Sequence, residues 1–361
     1  MALGDSPVVA LLEHLLGISS PPGQEEALAR ELARQLESLG LDVERDQAGN
    51  MIARAAGVGQ PLLLCAHMDT VEPTDSLTLV RLDGRLSSDG TTILGADDKA
   101  GIAAILEAIR VASQHPPLEV VFTVREEIGL QGALALDLSR LRARRGIVLD
   151  AGGDIGTVVT AAPSQYRLVA RVVGRAAHAG ASPEKGINAI AVAAQAITRM
   201  KLGRIDDETT ANVGVIHGGV ATNIVPEVVE LRGEARSHSE EKLAAQVAAM
   251  RAALESAAGE AGARAEIDCD RCYTRFAIPE EHDLVSTILE VARSLGVAGC
   301  VAKSGGGSDA NVFNLAGLEC VNFSVGMAGA HAKDESIACG DLERSAQLLA
   351  RVLEELALAG L

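Results

Sequence analysis

Residues 62–73 read LLLCAHMDTVEP, an apolar run that ends in a histidine and an aspartate one position apart. Side chains of a strand alternate with period two, so His67 and Asp69 would project to the same side. An imidazole beside a carboxylate suits a metal ligand whose far ring nitrogen is held by an acid. A centre of that kind needs more histidines and carboxylates, delivered from distant parts of the chain.

They are present. Glu126 and Glu127 follow VVFTVR, Asp150 ends RGIVLD, and His331 follows CVNFSVGMAGA. Each falls at or just beyond the carboxyl end of an expected strand, the edge where open α/β sheets build their sites. Asp97 and Asp98 sit in LGADDKAG, at a glycine-rich approach to a helix whose N-terminus favours a carboxylate. Taken singly, these residues have plainer roles. Asp97 or Asp98 could cap a helix, the two glutamates could be a solvated strand end, and His331 with Glu335 could be a surface pair four residues apart. Convergence on one rim argues for chemistry instead. The donors are oxygen and imidazole without thiolate, a set that suits zinc.

The elements that must position these groups come in two styles. PLLLCAH, LEVVFTV and RGIVLD read as strands buried on both faces, and KAGIAAILEAIRVASQ as a helix between the first two. GQEEALARELARQLESL (23–39) is a further helix, apolar at helical spacing with glutamates early. The middle of the chain instead reads as strand 166–174, helix 187–200, strands 211–219 and 227–236, helix 240–258 and strand 263–270. That β-α-β-β-α-β order is the ferredoxin-like split unit. The expected fold is therefore α/β: a mostly parallel sheet with helices on both faces, over 1–163 and 273–361, interrupted by a ferredoxin-like α+β insert over 164–272.

Composition fits this plan and narrows the partners. A chain of 361 residues exceeds what one core usually serves. With no Trp, two Tyr and four Phe, its cores must be built from Ala, Val, Leu and Ile. A formal charge of −17 argues against nucleic acid or an anionic membrane as partner, since both need a basic face. MALGDSPVVALLEHLLG lacks a basic start and reads as an amphipathic helix rather than a signal peptide. No run approaches the ~18–20 apolar residues of a membrane span. Six scattered cysteines fit a reducing cytoplasm, and CDRC (269–272) has no second pair at zinc-ribbon spacing.

The motifs AHMDTV, LGADDKAG, REEIGL, LDAGG, AAHAGASPEKGINAI, GGVATNIVPE, GEARS, GGGSDAN and GAHAKDE, in this order, resemble the M20 metallopeptidase family, most closely its peptidase T-like branch. The resemblance runs from about residue 60 to 340. It implies a two-zinc centre, in which cobalt or manganese could substitute. Asp97, the first acid of the pair, would bridge the metals, His67 and Asp150 would complete one ion, and Glu127 and His331 the other. Asp69 would hold the far nitrogen of His67, and Glu126 would be the general base. The insert would supply His178 to the oxyanion, with Asn223 and Arg236 binding substrate, and would join two subunits in a homodimer. Gly307 and Ser308, in GGGSDAN, would form a backbone wall of the substrate pocket. That loop lacks the G-K-[ST] ending of a phosphate loop, so nucleotide binding is not expected.

The implied activity is hydrolysis of small amide bonds, by an exopeptidase acting on short peptides or by a deacylase acting on N-acylated amino acids. A silent binding protein of this fold should lack a ligand or the base, and none is missing. One departure bears on peptide length. The stretch 70–94 is shorter than in the family's tripeptidases, and the EARS and GAHAKDE segments differ from theirs.

Overall fold

Strands Leu62–His67 and Leu118–Thr123 are buried at every position. Apolar, β-branched runs covered on both faces have this signature. In the computed structural model, which describes residues 6–360, they lie side by side and parallel in a nine-stranded sheet. Arg145–Ala151 continues the parallel set beyond Leu62–His67, and Glu319–Ser324 pairs parallel with it in turn. Antiparallel strands flank this centre: Met51–Ala55 and Asp42–Arg45 on one side, Thr157–Ala162 on the other. The fold is mixed α/β with a mostly parallel central sheet and a separate antiparallel sheet, as the alternation of strands and helices implies.

The chain divides into two compact units. Of the described residues, one holds 6–161, 276–303 and 308–360, and the other 162–275 and 304–307. In the first, Leu62, Leu64, Val120, Phe122, Ile147 and Leu149 pack with helices Pro7–Leu16, Glu26–Ser38, Ala96–Val111 and Cys339–Ala359 in one core. The opposite face is buried as well, at Leu63, Cys65, Val121 and Val148. Residues 1–5 of the expected N-terminal helix lie outside the described residues, and the helix begins at Pro7, where the missing proline N–H costs nothing. Among the described residues, no helix is long and apolar enough to cross a membrane.

Two local features shape the site. Helix Ala96–Val111 starts three residues before the periodic run that announces it, and its first acids are not helical: Asp97 has φ −78° and ψ 103°, Asp98 φ −121° and ψ 30°. Gly101 lets this turn approach the sheet, since a Cβ there would stand 2.2 Å from the Leu149 carbonyl oxygen. The second feature is a small antiparallel sheet of Leu79–Leu82, Arg85–Ser88, Ser336–Ala338 and Met327–Ala328. The connection between its last two strands carries His331, at φ +65°.

The other unit contains the expected β-α-β-β-α-β series. Its antiparallel sheet runs Gly203–Arg204, Thr209–Gly218, Val228–Ser237, Ser164–Val173, Arg264–Tyr273. Helices Ala189–Arg199 and Glu240–Ala261 cover it with small residues and Leu243, Met250 and Leu254. Cys269 and Cys272 are separate free thiols on the last strand.

Candidate metal centre

His67 ends its strand opposite Thr123 of the neighbour. Its Nδ1 lies 2.8 Å from the main-chain carbonyl of Asp69, an oxygen that can only accept, so Nδ1 carries a proton and Nε2 is the nitrogen turned towards the acids. Nε2 faces the carboxylates of Asp97, at 3.1 Å, and Asp150, at 3.9 Å. The Asp69 carboxylate stands beside the same nitrogen, with Oδ1 3.6 Å from Nδ1, so the carbonyl makes the shorter contact and the carboxylate the longer, ion-pair one. The strand ends at His67, so period-two alternation does not extend to residue 69. Asp69 thus orients the imidazole chiefly through its backbone, and its carboxylate serves a second purpose.

That purpose is the loop carrying the two glutamates. The buried Asp69 accepts the amide N–H of Glu126 on Oδ1, at 2.9 Å, and that of Glu127 on Oδ2, at 3.1 Å. The preceding amide, of Arg125 at φ +53°, donates to Glu25 at 3.0 Å. Successive main-chain donors are thus fixed by carboxylates from elsewhere, which sets the directions of both glutamate side chains. Glu127 Oε2 meets His331 Nε2 at 2.9 Å, and its Oε1 is buried without a partner.

Asp97 and Asp98 separate cleanly in space. Asp98 turns inward, accepting the His67 amide on Oδ2 and the Gly101 amide on Oδ1, each at 3.2 Å. Asp97 presents Oδ1 to His67 Nε2 and Oδ2 to His331 Nε2, the latter at 3.3 Å. Asp150 is held by Asn322, whose Oδ1 accepts the Asp150 amide at 2.9 Å and whose Nδ2 donates to the Asp150 carbonyl at 2.7 Å. Glu335, which spacing offers as a surface partner of His331, is fully buried and accepts the amides of Gly95 and Asp97. Sequence reasoning missed Glu25, Asn322 and the place of Glu335, because their partners are backbone groups far away in the chain and no motif spacing reveals them.

Two trios result: His67, Asp97 and Asp150, and Asp97, Glu127 and His331, with ligand atoms in each trio all within 4.8 Å of one another. The charges are out of balance. Burial opposes ionisation of Asp97, but hydrogen bonds from His331 and His67 hold its carboxyl well below the usual carboxylate range. Burial pushes the carboxyls of Asp150 and Glu126 well above that range, and neighbouring acids push them further. His331 is driven up to about 10 by Asp97 and Glu127. Two like charges 4 Å apart repel by about 4 kcal/mol even at an effective dielectric of ~20. Four carboxyls sharing two imidazoles therefore lack positive charge. Divalent cations fit that deficit, the inward-facing Nε2 of His67, which would exchange its proton for a metal, and the unpartnered Glu127 Oε1.

The remaining candidates lie mostly in the other unit. His178 is exposed, and its Nδ1 accepts the amides of Gly180 and Ala181, each at 3.1 Å. Asn223 is exposed too, on the segment paired with it through Ala179 N–H to the Asn223 carbonyl, at 2.9 Å. Arg236 is half-buried and gives Nε and one terminal nitrogen to the two oxygens of Glu234, both at 3.0 Å. Gly307 donates its amide to the Tyr273 hydroxyl at 3.0 Å, and a Cβ there would strike that ring. Ser308, buried in the first unit, donates its amide to the Asn311 side chain at 3.0 Å. His67, Asp97, Glu127, Asp150 and His331 are thus gathered in one unit, while His178, Asn223, Arg236 and Gly307 belong to the other.

Comparison with known proteins gives this arrangement a context. Residues 63–355 match the model of Peptidase family M20/M25/M40. The uncharacterized protein YqjE of Bacillus subtilis is 42% identical over 358 residues, spanning 95% of this chain and 96% of that protein. The crystal structure of aminopeptidase PepT from Bacillus cereus superimposes with a TM-score of 0.86 at 40% identity, covering 97% of this chain and 98% of the other. A tripeptidase from Staphylococcus aureus gives 0.91 at 38% identity, with 98% of each chain covered.

Proposed function

Because this chain belongs to peptidase family M20/M25/M40 and is peptidase T-like, we propose that it is a di-zinc aminopeptidase acting on short peptides. One observation carries the reading: two ligand trios share Asp97, and the buried carboxyl of Glu126 belongs to neither. The likeness to an aminopeptidase and a tripeptidase over almost the whole chain supports peptides as substrates, although the 70–94 stretch is short.

His67, Asp97 and Asp150 would hold one zinc, and Asp97, Glu127 and His331 the second, with cobalt or manganese able to substitute. When bound, such a pair supplies Lewis acidity that polarises the scissile carbonyl and makes water acidic enough to attack near pH 7. Glu126 takes the proton the attacking water gives up and hands it to the departing amine nitrogen. Asp69 keeps Glu126 and Glu127 aimed through their amides. His178, whose Nδ1 is engaged as an acceptor, carries its proton on Nε2 and can donate it to the developing oxyanion. Arg236 receives the substrate's free carboxylate, Asn223 a neighbouring polar group, and Gly307 and Ser308 wall the pocket.

The 164–272 segment is assigned the parts of lid and dimerisation domain. Val215, Ile216 and Val220 are exposed on or just beyond the Thr209–Gly218 strand, an apolar edge that a second copy would cover. The cytoplasm is the proposed location.

A competition assay tests the activity. The protein, stripped of metal and recharged with zinc, is given free di- and tripeptides together with N-acetylated amino acids, and products are read by mass spectrometry. Release of N-terminal residues is the expected outcome. Loss of acetyl groups alone would make it a deacylase, and no product from either class would leave a binding protein.

A further inference from the structure

Glu335 does something that neither the ligand trios nor the substrate residues account for. Its side chain is fully buried, and its two oxygens accept the amides of Gly95, at 2.7 Å, and Asp97, at 2.9 Å. Those donors lie on the non-helical turn that leads into helix Ala96–Val111, just ahead of Asp98, whose own side chain accepts the Gly101 amide at 3.2 Å. Glu335 holds that turn from some 240 residues away in sequence. It also lies four residues beyond His331, at the end of the same short connection. The connection is folded back on itself by Ala332 N–H to the Gly329 carbonyl, at 3.1 Å, and Glu335 N–H to the Ala332 carbonyl, at 3.0 Å.

The same carboxylate therefore ties the peptide that carries Asp97 to the loop that carries His331. His331 sits at φ +65° and is more than half exposed, and among the described residues its side chain pairs with Asp97 and Glu127. An exposed ligand on a turn has little packing to hold it, so its place depends on where the turn is anchored. We propose that Glu335 is a positioning residue that couples the His331 loop to Asp97, and that it sets the affinity of the Asp97–Glu127–His331 site selectively over that of the His67–Asp97–Asp150 site. The His67 site has independent supports, in the Asp69 carbonyl on His67 and the Asn322 side chain on Asp150. This inference rests on the two-metal reading above.

The test is zinc binding, measured apart from turnover. The full-length protein and Glu335→Gln are stripped with a chelator and titrated with zinc against a chromophoric competitor, and final stoichiometry is read by elemental analysis. Glutamine keeps the size of the side chain but can offer an acceptor to only one of the two amides, and its NH2 group opposes the other. Wild type should take two zinc ions. Glu335→Gln should keep the first at wild-type affinity and bind the second about 10–100-fold more weakly, the usual effect of losing a group that orients a ligand. Two zincs bound by the variant within twofold of wild type would overturn the inference. So would equal weakening of both sites, or a lowered melting temperature of the metal-free protein with unchanged zinc affinities, since each marks a general structural role. Should Glu335→Gln fail to fold, Glu335→Asp, which keeps the charge on a shorter arm, must show the same selective loss or the inference falls. A wild-type protein that binds fewer than two zincs would instead sink the two-metal reading itself.

Discussion

Asp69 accepts the Glu126 amide at 2.9 Å and, on its other oxygen, the Glu127 amide at 3.1 Å. One buried carboxylate thereby aims both the proposed base and a proposed ligand, while its own carbonyl orients His67. Asp69→Asn keeps the carbonyl and the side-chain shape but sets an NH2 group against one amide donor. Turnover should fall about 10–100-fold, with weaker zinc binding at the Glu127 site. Steady-state kinetics beside zinc titration check this, and a variant with wild-type turnover would show that the two amides need no such anchor.

Glu126 belongs to neither trio, so Glu126→Gln should separate chemistry from metal binding. The glutamine cannot shuttle a proton, and kcat should drop by roughly 10²–10⁴. Zinc stoichiometry should stay at the wild-type value. A fully active variant would remove Glu126 from the mechanism.

Asp97 and Asp98 make a sharper pair. Asp97 faces both histidines, whereas the oxygens of Asp98 are spent on the amides of His67 and Gly101. Asp97→Ala should lose both metals, because the shared ligand serves two ions. Asp98→Asn should still bind two. Elemental analysis of the two purified variants decides between them, and the reverse result would move the bridge to Asp98.

How much of this could be read from the sequence depends on what kind of partner each residue has. Continuous apolar runs locate His67, Glu127 and Asp150 at or just beyond strand ends, because a central strand covered on both faces is apolar at successive positions. The choice between Asp97 and Asp98 is not written there, since it turns on the non-helical backbone of the first turn. The grip of Glu335 on Gly95 and Asp97, and of Asn322 on Asp150, are side-chain to backbone contacts, and a backbone amide carries no sequence signal. The same limit hid the use Asp69 makes of its carboxylate. Likewise the small sheet that presents His331 is built from strands too short, at two to four residues, for alternation to show.

His178 tests the reading of the insert. Its Nδ1 accepts two amides, which fixes the proton on Nε2 without any carboxylate partner. If that N–H stabilises the oxyanion, His178→Ala should lower kcat by about 10²–10³. Zinc content should not change, since no ligand is touched. A variant with unaltered kcat would show that another group supplies the donor.

Arg236 offers the last distinction, between substrates with and without a free carboxylate. Glu234 already occupies the edge of the guanidinium formed by Nε and one terminal nitrogen, which fixes the plane of the group and leaves the other terminal nitrogen for a ligand. A hydrogen bond to a charged group contributes about 1.5–3 kcal/mol, so losing one should raise KM by roughly 10–100-fold. Arg236→Ala should therefore show a raised KM for a short peptide with a free C-terminus, and nearly unchanged constants for the same peptide as its C-terminal amide. Wild type should itself prefer the free acid by a similar factor. If it cleaves acid and amide equally well, Arg236 does not read a carboxylate, and its pairing with Glu234 is a structural feature of the sheet.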